Sequence, residues 1–281
     1  MLVVHRETAP KGGAAQHRNG GIEFDYLLDG EEGSKGNYAL MLVRTTEAFT
    51  TPKHRHNFEQ VRIVLNGEFG FSPGRIQKAG TAGYFCEGTF YTQKSGPDCE
   101  VLLLQVAGPS GQGYMSSRQL RHGGDELAKM GEFRNGRYFP NDSEDQVKSQ
   151  DGYEAIWQYH FGSPPLYVEP RFTEPVIMVP DRFRYLPVPG VQGCWSRRLG
   201  SFYEAGLGLS QLKLNAGCSY LFKATSQPHL LYAVNGSGRV EHESWRSQSA
   251  IKLDTGEWAK FTAETDSEFY VFRLPVFPGT D

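Results

Sequence analysis

The sequence lacks a strong net charge and any long apolar run. Its 29 lysines and arginines nearly balance its 32 aspartates and glutamates, leaving a net charge of −3. Such a balance gives no electrostatic footprint for nucleic acid or for an anionic membrane surface. No apolar run approaches the roughly 20 residues that a membrane-spanning helix needs. We therefore expect neither nucleic acid nor a membrane among the partners.

Cysteine is also scarce, and an apolar leader is missing. The run Leu2-Val3-Val4 is too short for the hydrophobic region of a secretory signal. Cys86, Cys99, Cys194 and Cys218 form no C-x-x-C pair, which favours reduced, structural thiols over a redox motif. Both features predict a cytoplasmic protein.

Turn-forming and aromatic residues are abundant instead. The 33 glycines, 16 prolines and 13% aromatic residues are typical of an all-β protein with many tight turns, and helical signals are sparse. A chain of 281 residues is long enough for one large domain or two of ordinary size.

The most informative stretch runs from His54 to Gly67. His54 and His56 are two residues apart, so on a strand both imidazoles point to the same face. Gln60 follows after three residues and Gly67 after six more. This spacing resembles the first signature motif of the cupin superfamily, in which a glutamate or sometimes a glutamine stands at the third position.

Residues 80–91 resemble the second cupin signature. Gly88 keeps the glycine of the family, Cys86 stands at its proline position, and Tyr91 stands where its final histidine ligand is expected. The first motif also departs from the family, since Ala48 stands at the position of its leading glycine. The resemblance implies a double-stranded β-helix, or jelly-roll, barrel.

An internal repeat predicts two such barrels in tandem, a bicupin. When Asn66-Gly67 is aligned on Asn235-Gly236, residues 98–104 fall on 266–272 with a single gap. The two copies lie near residues 22–110 and 185–278. We assign residues 1–115 to the first barrel and 181–281 to the second.

The second copy has different residues at the ligand positions. Lys223, Thr225 and His229 stand there, and a lysine and a threonine do not replace two neutral imidazoles. We therefore expect the functional site in the first barrel and a degenerate motif in the second.

Residues 116–180 are predicted to connect the barrels, mostly as loops. Turn-forming pairs such as Gly123-Gly124 argue against a long helix, although residues 125–131 predict a short helix capped by Gly131. Apolar and polar residues alternate over 153–159 to an extent that allows another strand. A connection of this length usually wraps a domain or covers a pocket mouth.

The resemblance implies a metal site formed by His54, His56 and Gln60, with Tyr91 as a fourth ligand. The amide leaves iron, nickel, manganese and zinc all open, and a site without metal is the alternative. Glu59 is a rival ligand, but strand alternation sends it away from Gln60.

Other residues are candidates for catalysis and substrate binding. Arg62 shares a strand face with Gln60, so we expect its guanidinium inside the barrel, where it needs an anion from a substrate or from a protein acid. Tyr91 is either functional or a core phenol with a satisfied hydroxyl. The catalytic candidates are His54, His56, Arg62 and Tyr91, and the substrate-binding candidates are Phe58, Arg62, Tyr84 and Gln93.

Three functions are compatible with these residues. The resemblance implies a metal-dependent enzyme, such as a dioxygenase or an isomerase, acting on a small organic and sometimes anionic substrate. A metal-independent cyclase, isomerase or lyase would use His54, His56 and Tyr91 as acid and base groups. A non-catalytic small-molecule-binding bicupin is the third. We also expect a homodimer, because open β edges need protection.

Overall fold

The structure is a computed structural model that describes residues 1–14, 21–141, 149–223 and 225–277. Within these residues the chain is mostly β, with two α-helices and short 3-10 turns at Arg6–Thr8 and Pro180–Arg182. The strands of the first half are β1 (Leu2–His5), β2 (Lys11–Gly13), β3 (Ile22–Asp29), β4 (Tyr38–Thr45), β5 (Phe49–His54), β6 (Phe58–Asn66), β7 (Glu68–Ser72), β8 (Arg75–Lys78), β9 (Ala82–Phe85), β10 (Tyr91–Ser95) and β11 (Glu100–Ala107).

Helices and short strands follow, and then the strands of the second half. The middle elements are α1 (Ser117–Ala128), β12 (Gly131–Arg134), β13 (Arg137–Pro140), β14 (Gln150–Asp151), α2 (Gly152–Phe161) and β15 (Val176–Met178). The remaining strands are β16 (Leu186–Pro187), β17 (Cys194–Ser201), β18 (Gly208–Leu214), β19 (Ser219–Phe222), β20 (His229–Asn235), β21 (Ser237–Val240), β22 (Glu243–Arg246), β23 (Ser249–Leu253), β24 (Ala259–Ala263) and β25 (Ser267–Arg273).

The chain divides into two compact units. Residues 11–177 form one unit, and residues 1–10 together with 178–281 form the other. The ranges expected from the sequence, 1–115, 116–180 and 181–281, divide the chain differently. Most of the expected connecting segment is part of the first compact unit, and the first ten residues are part of the second.

Each unit contains a jelly-roll barrel of two antiparallel sheets. In the first barrel the strand orders are β15-β9-β6-β11-β4-β3-β2 and β5-β10-β7-β8. In the second they are β1-β23-β20-β25-β18-β17-β16 and β19-β24-β21-β22. The orders correspond strand for strand, since β6, β11 and β4 occupy the places of β20, β25 and β18. The all-β class and the tandem barrels predicted from the sequence are confirmed.

The repeat extends to individual residues. Glu100 pairs with Asn66 in the first barrel and Glu268 pairs with Asn235 in the second, each beside a shift in register. The glycine that follows each asparagine has a positive φ, 74° at Gly67 and 87° at Gly236. Left-handed backbone of this kind favours glycine, so the doubled Asn-Gly signal marks the same turn twice.

Alternating side chains place the core of the first barrel. Strand β6 is covered on both faces, with Val61 and Ile63 directed to one side and Gln60 and Arg62 to the other. Fully burying an aliphatic side chain of this kind contributes about 1.5–3 kcal/mol to folding. The core therefore fixes which face of β6 carries the polar residues.

The short helix expected at residues 125–131 differs from the observed helix, since α1 spans Ser117–Ala128. The observed α1 begins earlier, because the Ser116 side chain accepts a hydrogen bond from the backbone of Gln119 and Gln119 reciprocates in a capping box. Gly123 is tolerated inside the helix because it packs against α2, where a Cβ would lie 2.8 Å from Ile156. Gly131, expected as a helix cap, opens β12 instead.

The strand allowed at residues 153–159 is also wrong, since this segment is α2. Asp151 caps the helix by accepting hydrogen bonds from the backbone N–H groups of Tyr153 and Glu154. Gly162 ends it in a left-handed conformation. Both capping signals are visible in the sequence and outweigh the apparent alternation.

Substituting Gly236 with alanine is predicted to destabilise the second barrel more than substituting Gly256. Both glycines have positive φ, which costs alanine about 1–2 kcal/mol. At Gly236 a Cβ would also lie 2.7 Å from the Asp266 carbonyl oxygen, whereas at Gly256 nothing lies within 4 Å. Urea unfolding followed by circular dichroism measures the difference. Equal losses of stability would show that the close approach at Gly236 has no energetic consequence.

Candidate functional site

The first barrel encloses a cavity of about 170 Å³. Its wall is mainly aromatic and aliphatic, with a small number of polar side chains, which is the usual composition of a small-molecule site. Of the residues predicted from the sequence, those that line this cavity are His54, His56, Phe58, Arg62, Tyr91 and Gln93.

Strand pairing brings the first histidine to the tyrosine. His54 ends β5 and lies directly opposite Tyr91 on β10, so the two ring centroids are 4.4 Å apart. The Nδ1 of His54 lies 2.8 Å from the carbonyl oxygen of Pro52. Because a carbonyl only accepts, His54 carries a proton on Nδ1. The His56 ring stands edge-on to His54, with centroids 5.0 Å apart.

The hydroxyl of Tyr91 is the point where the polar residues meet. Arg62 Nη2 lies 2.6 Å from the Tyr91 oxygen, Gln60 Nε2 lies 3.3 Å from it, and His56 Nε2 lies 2.8 Å from it. The guanidinium and the amide NH₂ can only donate, so they occupy the two lone pairs of the phenol oxygen. The phenol proton is then directed to Nε2 of His56, which accepts it.

Aromatic rings hold the guanidinium of Arg62 in place. Its central carbon lies 4.5 Å from the ring centroid of Phe69, 4.9 Å from that of Phe85 and 4.7 Å from that of Tyr91. Its Nε and Nη2 donate to Gln60 Oε1 at 3.2 Å and 2.6 Å. Cation–π contacts of this kind stabilise a desolvated cation by about 2 kcal/mol each.

Two predicted site residues occupy other places. Gln60 is buried behind Arg62 and Tyr91 and does not line the cavity. Tyr84, expected to contact substrate, lies on the opposite face of the sheet, where its hydroxyl donates to Glu59. The reason is register: Tyr84 pairs with Val61, whose side chain points away from the cavity.

Glu59 belongs to a buried ion pair behind the cavity wall. Its carboxylate accepts from Arg171 at 2.6 Å and from the backbone N–H of Glu87 at 3.2 Å. Burial raises the pKa of Glu59, and the guanidinium of Arg171 and the hydroxyl of Tyr84 oppose this shift. Glu59 therefore makes structural contacts on the face of β6 opposite Gln60, as the alternation of side chains predicted.

Several cavity residues could not be named from the sequence. Tyr114 donates to Gln105 Oε1 at 2.7 Å, and Tyr153 donates to Asn57 Oδ1 at 2.8 Å. Burial raises the pKa of Tyr114 and of Tyr153, so both phenols stay protonated donors. Tyr114 lies at the end of the range assigned to the first barrel and Tyr153 lies in the connecting segment, and neither belongs to a motif with recognisable site spacing.

A second, larger space of about 640 Å³ adjoins the cavity, and we call it the vestibule. Arg55 lies between two rings in its wall, 4.9 Å from the centroid of Phe90 and 4.3 Å from that of Tyr167. Lys53 lies 5.0 Å from the centroid of Phe90. The residues that border both spaces are Phe49, Thr51, His54, His56 and Tyr153.

The donor set does not fit the divalent metal that the cupin resemblance implies. Arg62 already donates twice to Gln60 Oε1 and once to the Tyr91 oxygen, the two proposed oxygen ligands. Two unit charges 4 Å apart at an effective dielectric of 20 repel by about 4 kcal/mol, and a dication doubles this. Across the part of the chain that the structure describes, no group of three or more His, Cys, Asp or Glu could hold a metal.

The equivalent positions of the second barrel differ, as expected. His229 pairs with Arg273 as Gln60 pairs with Gln105, which confirms that His229 stands at the place of Gln60. Thr225 Oγ1 lies 3.4 Å from His229 Nδ1 and donates to the Gln227 carbonyl at 2.7 Å.

Comparison with solved structures identifies the fold. No family model matches the sequence, and no curated protein matches it. Structures of the cupin fold match nearly the whole chain, so the protein has the cupin fold in its two-barrel form.

Three of these structures show the extent of the likeness. A Streptomyces albus enzyme with 2-hydroxyethylphosphonate and Fe(II) bound is 12% identical, with 97% of this chain and 78% of that chain covered and a TM-score of 0.55. Quercetin 2,3-dioxygenase from Acinetobacter baumannii is 14% identical, covering 98% and 86%, with a TM-score of 0.52. Bacillus subtilis oxalate decarboxylase, described with Mn(II) centres, is 10% identical, covering 99% and 78%, with a TM-score of 0.55.

In residues 1–14, 21–141, 149–223 and 225–277, no helix is both long enough and apolar enough to cross a membrane.

Glu87 is predicted to make stability depend on pH. Burial raises the pKa of Glu87 above its usual value of 4.5, so the folded state keeps a proton that the unfolded chain releases. Stability is therefore lost as the pH rises from 4.5 through the raised pKa. Glu87→Gln is expected to remove this component, as measured by urea unfolding between pH 4.5 and 8. The exposed Glu68→Gln is the control, and identical pH profiles for Glu87→Gln and the wild type would contradict the assignment.

Proposed function

We propose that the first barrel is the active site of a metal-independent enzyme that moves a proton on a small organic molecule, as an isomerase, cyclase or lyase does. The observation that carries the proposal is the Tyr91 hydroxyl, which contacts Arg62, His56 and Gln60 at the cavity wall. Tyrosine and histidine are established general acids and bases.

The roles follow from which atoms donate. A substrate atom that takes the place of the 3.3 Å Gln60 contact gives a proton to the Tyr91 oxygen as Tyr91 passes its own proton to His56 Nε2, and the reverse transfers return both protons. Arg62 stabilises the negative charge that develops on the Tyr91 oxygen, because its guanidinium stays charged and lies 2.6 Å away. Gln60 keeps that guanidinium oriented from behind.

The cavity defines the class of substrate. A space of about 170 Å³ with aromatic walls admits a small, largely apolar molecule, since a cavity of about 150 Å³ is filled by benzene. Gln93 and Gln105 offer amide groups that orient a carbonyl or hydroxyl. The cations Lys53 and Arg55 in the vestibule attract an anionic group on the substrate.

Metal-dependent dioxygenation is the rival enzyme activity. The iron and manganese named for two proteins of the same fold favour it. The contacts of Arg62 with both proposed oxygen ligands oppose it. A non-catalytic binding bicupin would have the same cavity without needing a proton path from Tyr91 to His56. The cytoplasmic location and the homodimer stay predictions.

Tyr91→Phe is predicted to lower activity by roughly 10²–10⁴-fold, because one acid–base group is removed. The assay follows exchange of carbon-bound hydrogen in D₂O by NMR across a panel of small aromatic ketones and keto acids. Tyr138→Phe is the control, since Tyr138 is a buried tyrosine of the same unit that donates to the Leu127 carbonyl outside the cavity.

Three results would count against this assignment. Full activity in Tyr91→Phe would remove Tyr91 from the chemistry. Activity lost to a chelator and restored by iron, nickel, manganese or zinc would favour the metal-dependent enzyme. Exchange with no member of the panel, in a protein that binds several of them, would favour the binding protein.

The double variant His54→Ala/His56→Ala is predicted to abolish activity while the fold stays intact. Neither side chain belongs to the apolar faces that stabilise the barrel, and both border the cavity and the vestibule. The matched variant Lys223→Ala/Thr225→Ala alters the equivalent positions of the second barrel and should retain activity. Turnover on the same panel and circular dichroism measure both effects. The reverse pattern would place the active site in the second barrel.

A further inference from the structure

The second barrel has an interior cavity of its own, with a volume of about 200 Å³. Strands β17, β18, β19, β20 and β25 all contribute to its wall. On β17, β19 and β25 alternate residues face the cavity, such as Ser196 and Arg198 on β17 and Val271 and Arg273 on β25. Because five strands form its wall, the cavity is part of the barrel interior and not a surface groove between loops.

The charges in this cavity have one sign. Arg198 and Arg273 both line it, together with His229 and the hydroxyl groups of Ser196 and Ser210. No aspartate or glutamate is among the lining residues that the structure describes. We propose that the second barrel binds a small oxyanion, a carboxylate or a phosphate, between Arg198 and Arg273.

Arg273 is positioned to receive such an anion. Its Nε donates to the Gly206 carbonyl at 2.8 Å, and its Nη2 donates to Ser201 Oγ at 3.1 Å. A guanidinium has five N–H donors, so these contacts orient the group without using all of its donors. Gly208 leaves the space it needs, because a Cβ there would lie 3.3 Å from Arg273 Nη2.

Arg198 provides the second cation and is exposed at the opening of the cavity. Its side chain forms no hydrogen bond or ion pair with the described residues, although its backbone pairs with Ser210 in the sheet. Its neighbour Arg197 is different: it points to the other face of β17, where it donates to Gln211 Oε1 at 2.6 Å and to the Pro180 carbonyl at 2.8 Å. The structural arginine and the cavity arginine are thus adjacent in sequence and opposite in direction.

The imidazole of His229 is a further polar group in the cavity wall. Burial lowers the pKa of His229, and the charge of Arg273 lowers it further. The imidazole therefore stays neutral at physiological pH and offers a nitrogen for hydrogen bonding. An anion beside it would offset the charge of Arg273 and favour the protonated ring.

The same chemistry argues against a cation in this cavity. His229 stands at the place of Gln60, but the inward-facing residues around it are arginine and serine, and two guanidiniums repel a dication. Paired arginines are the side chains that best match the geometry of carboxylate and phosphate groups. The second barrel thus has a cavity that could hold a small molecule, although the positions equivalent to His54, His56 and Gln60 carry different residues.

Isothermal titration calorimetry with malonate, inorganic phosphate and neutral glycerol tests the proposal. We expect malonate or phosphate to bind and glycerol not to bind, with the tighter anion identifying the head group. Arg198→Gln should weaken anion binding about tenfold, as expected for loss of a hydrogen bond to a charged group. Arg198 makes no contact whose loss would unfold the barrel, so this variant is the primary one, and Arg273→Gln is the second.

Arg239→Gln is the matched control, because Arg239 also donates to a backbone carbonyl, that of His242, but lies outside the cavity. It should bind the anion as the wild type does. Tyr91→Phe, which alters the first barrel, should also leave anion binding unchanged, whatever it does to turnover. Absence of binding by both anions at millimolar concentration would overturn the proposal. So would unchanged binding in Arg198→Gln, equal binding of glycerol, or loss of binding in Tyr91→Phe.

Discussion

A permanent positive charge inside an apolar barrel is the constraint on which the first domain depends. The guanidinium of Arg62 cannot lose its proton, so the barrel must surround it with oxygen acceptors and π faces. Gln60 and Tyr91 supply the oxygens, and three aromatic rings supply the faces. The tyrosine therefore has a fixed position and a fixed proton direction. The contacts that stabilise the cation of Arg62 are therefore the same contacts that orient Tyr91 for chemistry.

The two barrels show how one framework carries two chemistries. Their strand orders and their Asn-Gly turns correspond, so the positions that face inward also correspond. The inward-facing residues of the first barrel include histidine, tyrosine and a covered arginine, whereas those of the second include serine, one arginine at the opening of the cavity and another in its wall. Substitution of these inward-facing polar residues leaves unchanged the apolar residues on the opposite faces of the strands. A degenerate ligand motif in such a barrel is therefore compatible with a new ligand.

Sequence reasoning located the barrels because turn and strand signals are local. The doubled Asn66-Gly67 and Asn235-Gly236 turns, and the alternation that separates Glu59 from Gln60, needed no knowledge of distant contacts. Tyr114 and Tyr153 could not be assigned in this way, because they reach the cavity from a segment whose path depends on tertiary packing. Tyr84 was misplaced for a related reason, since one step of register decides its face. The second helix was missed although Asp151 and Gly162 marked its ends.

Strand β1 closes one edge of the second barrel by pairing with β23, and His5 contacts Ser249 across 244 residues of chain. During synthesis β1 emerges before residues 11–177, but its partner β23 emerges only after them. Residues 11–177 can fold before β1 has its partner strand. The second barrel, to which β1 belongs, is therefore completed after the first barrel, although β1 precedes the first barrel in the sequence. Until β23 appears, β1 is an unpaired strand next to a growing barrel. Its short length and its flanking charged residues, Arg6 and Glu7, limit the hazard of pairing with another chain.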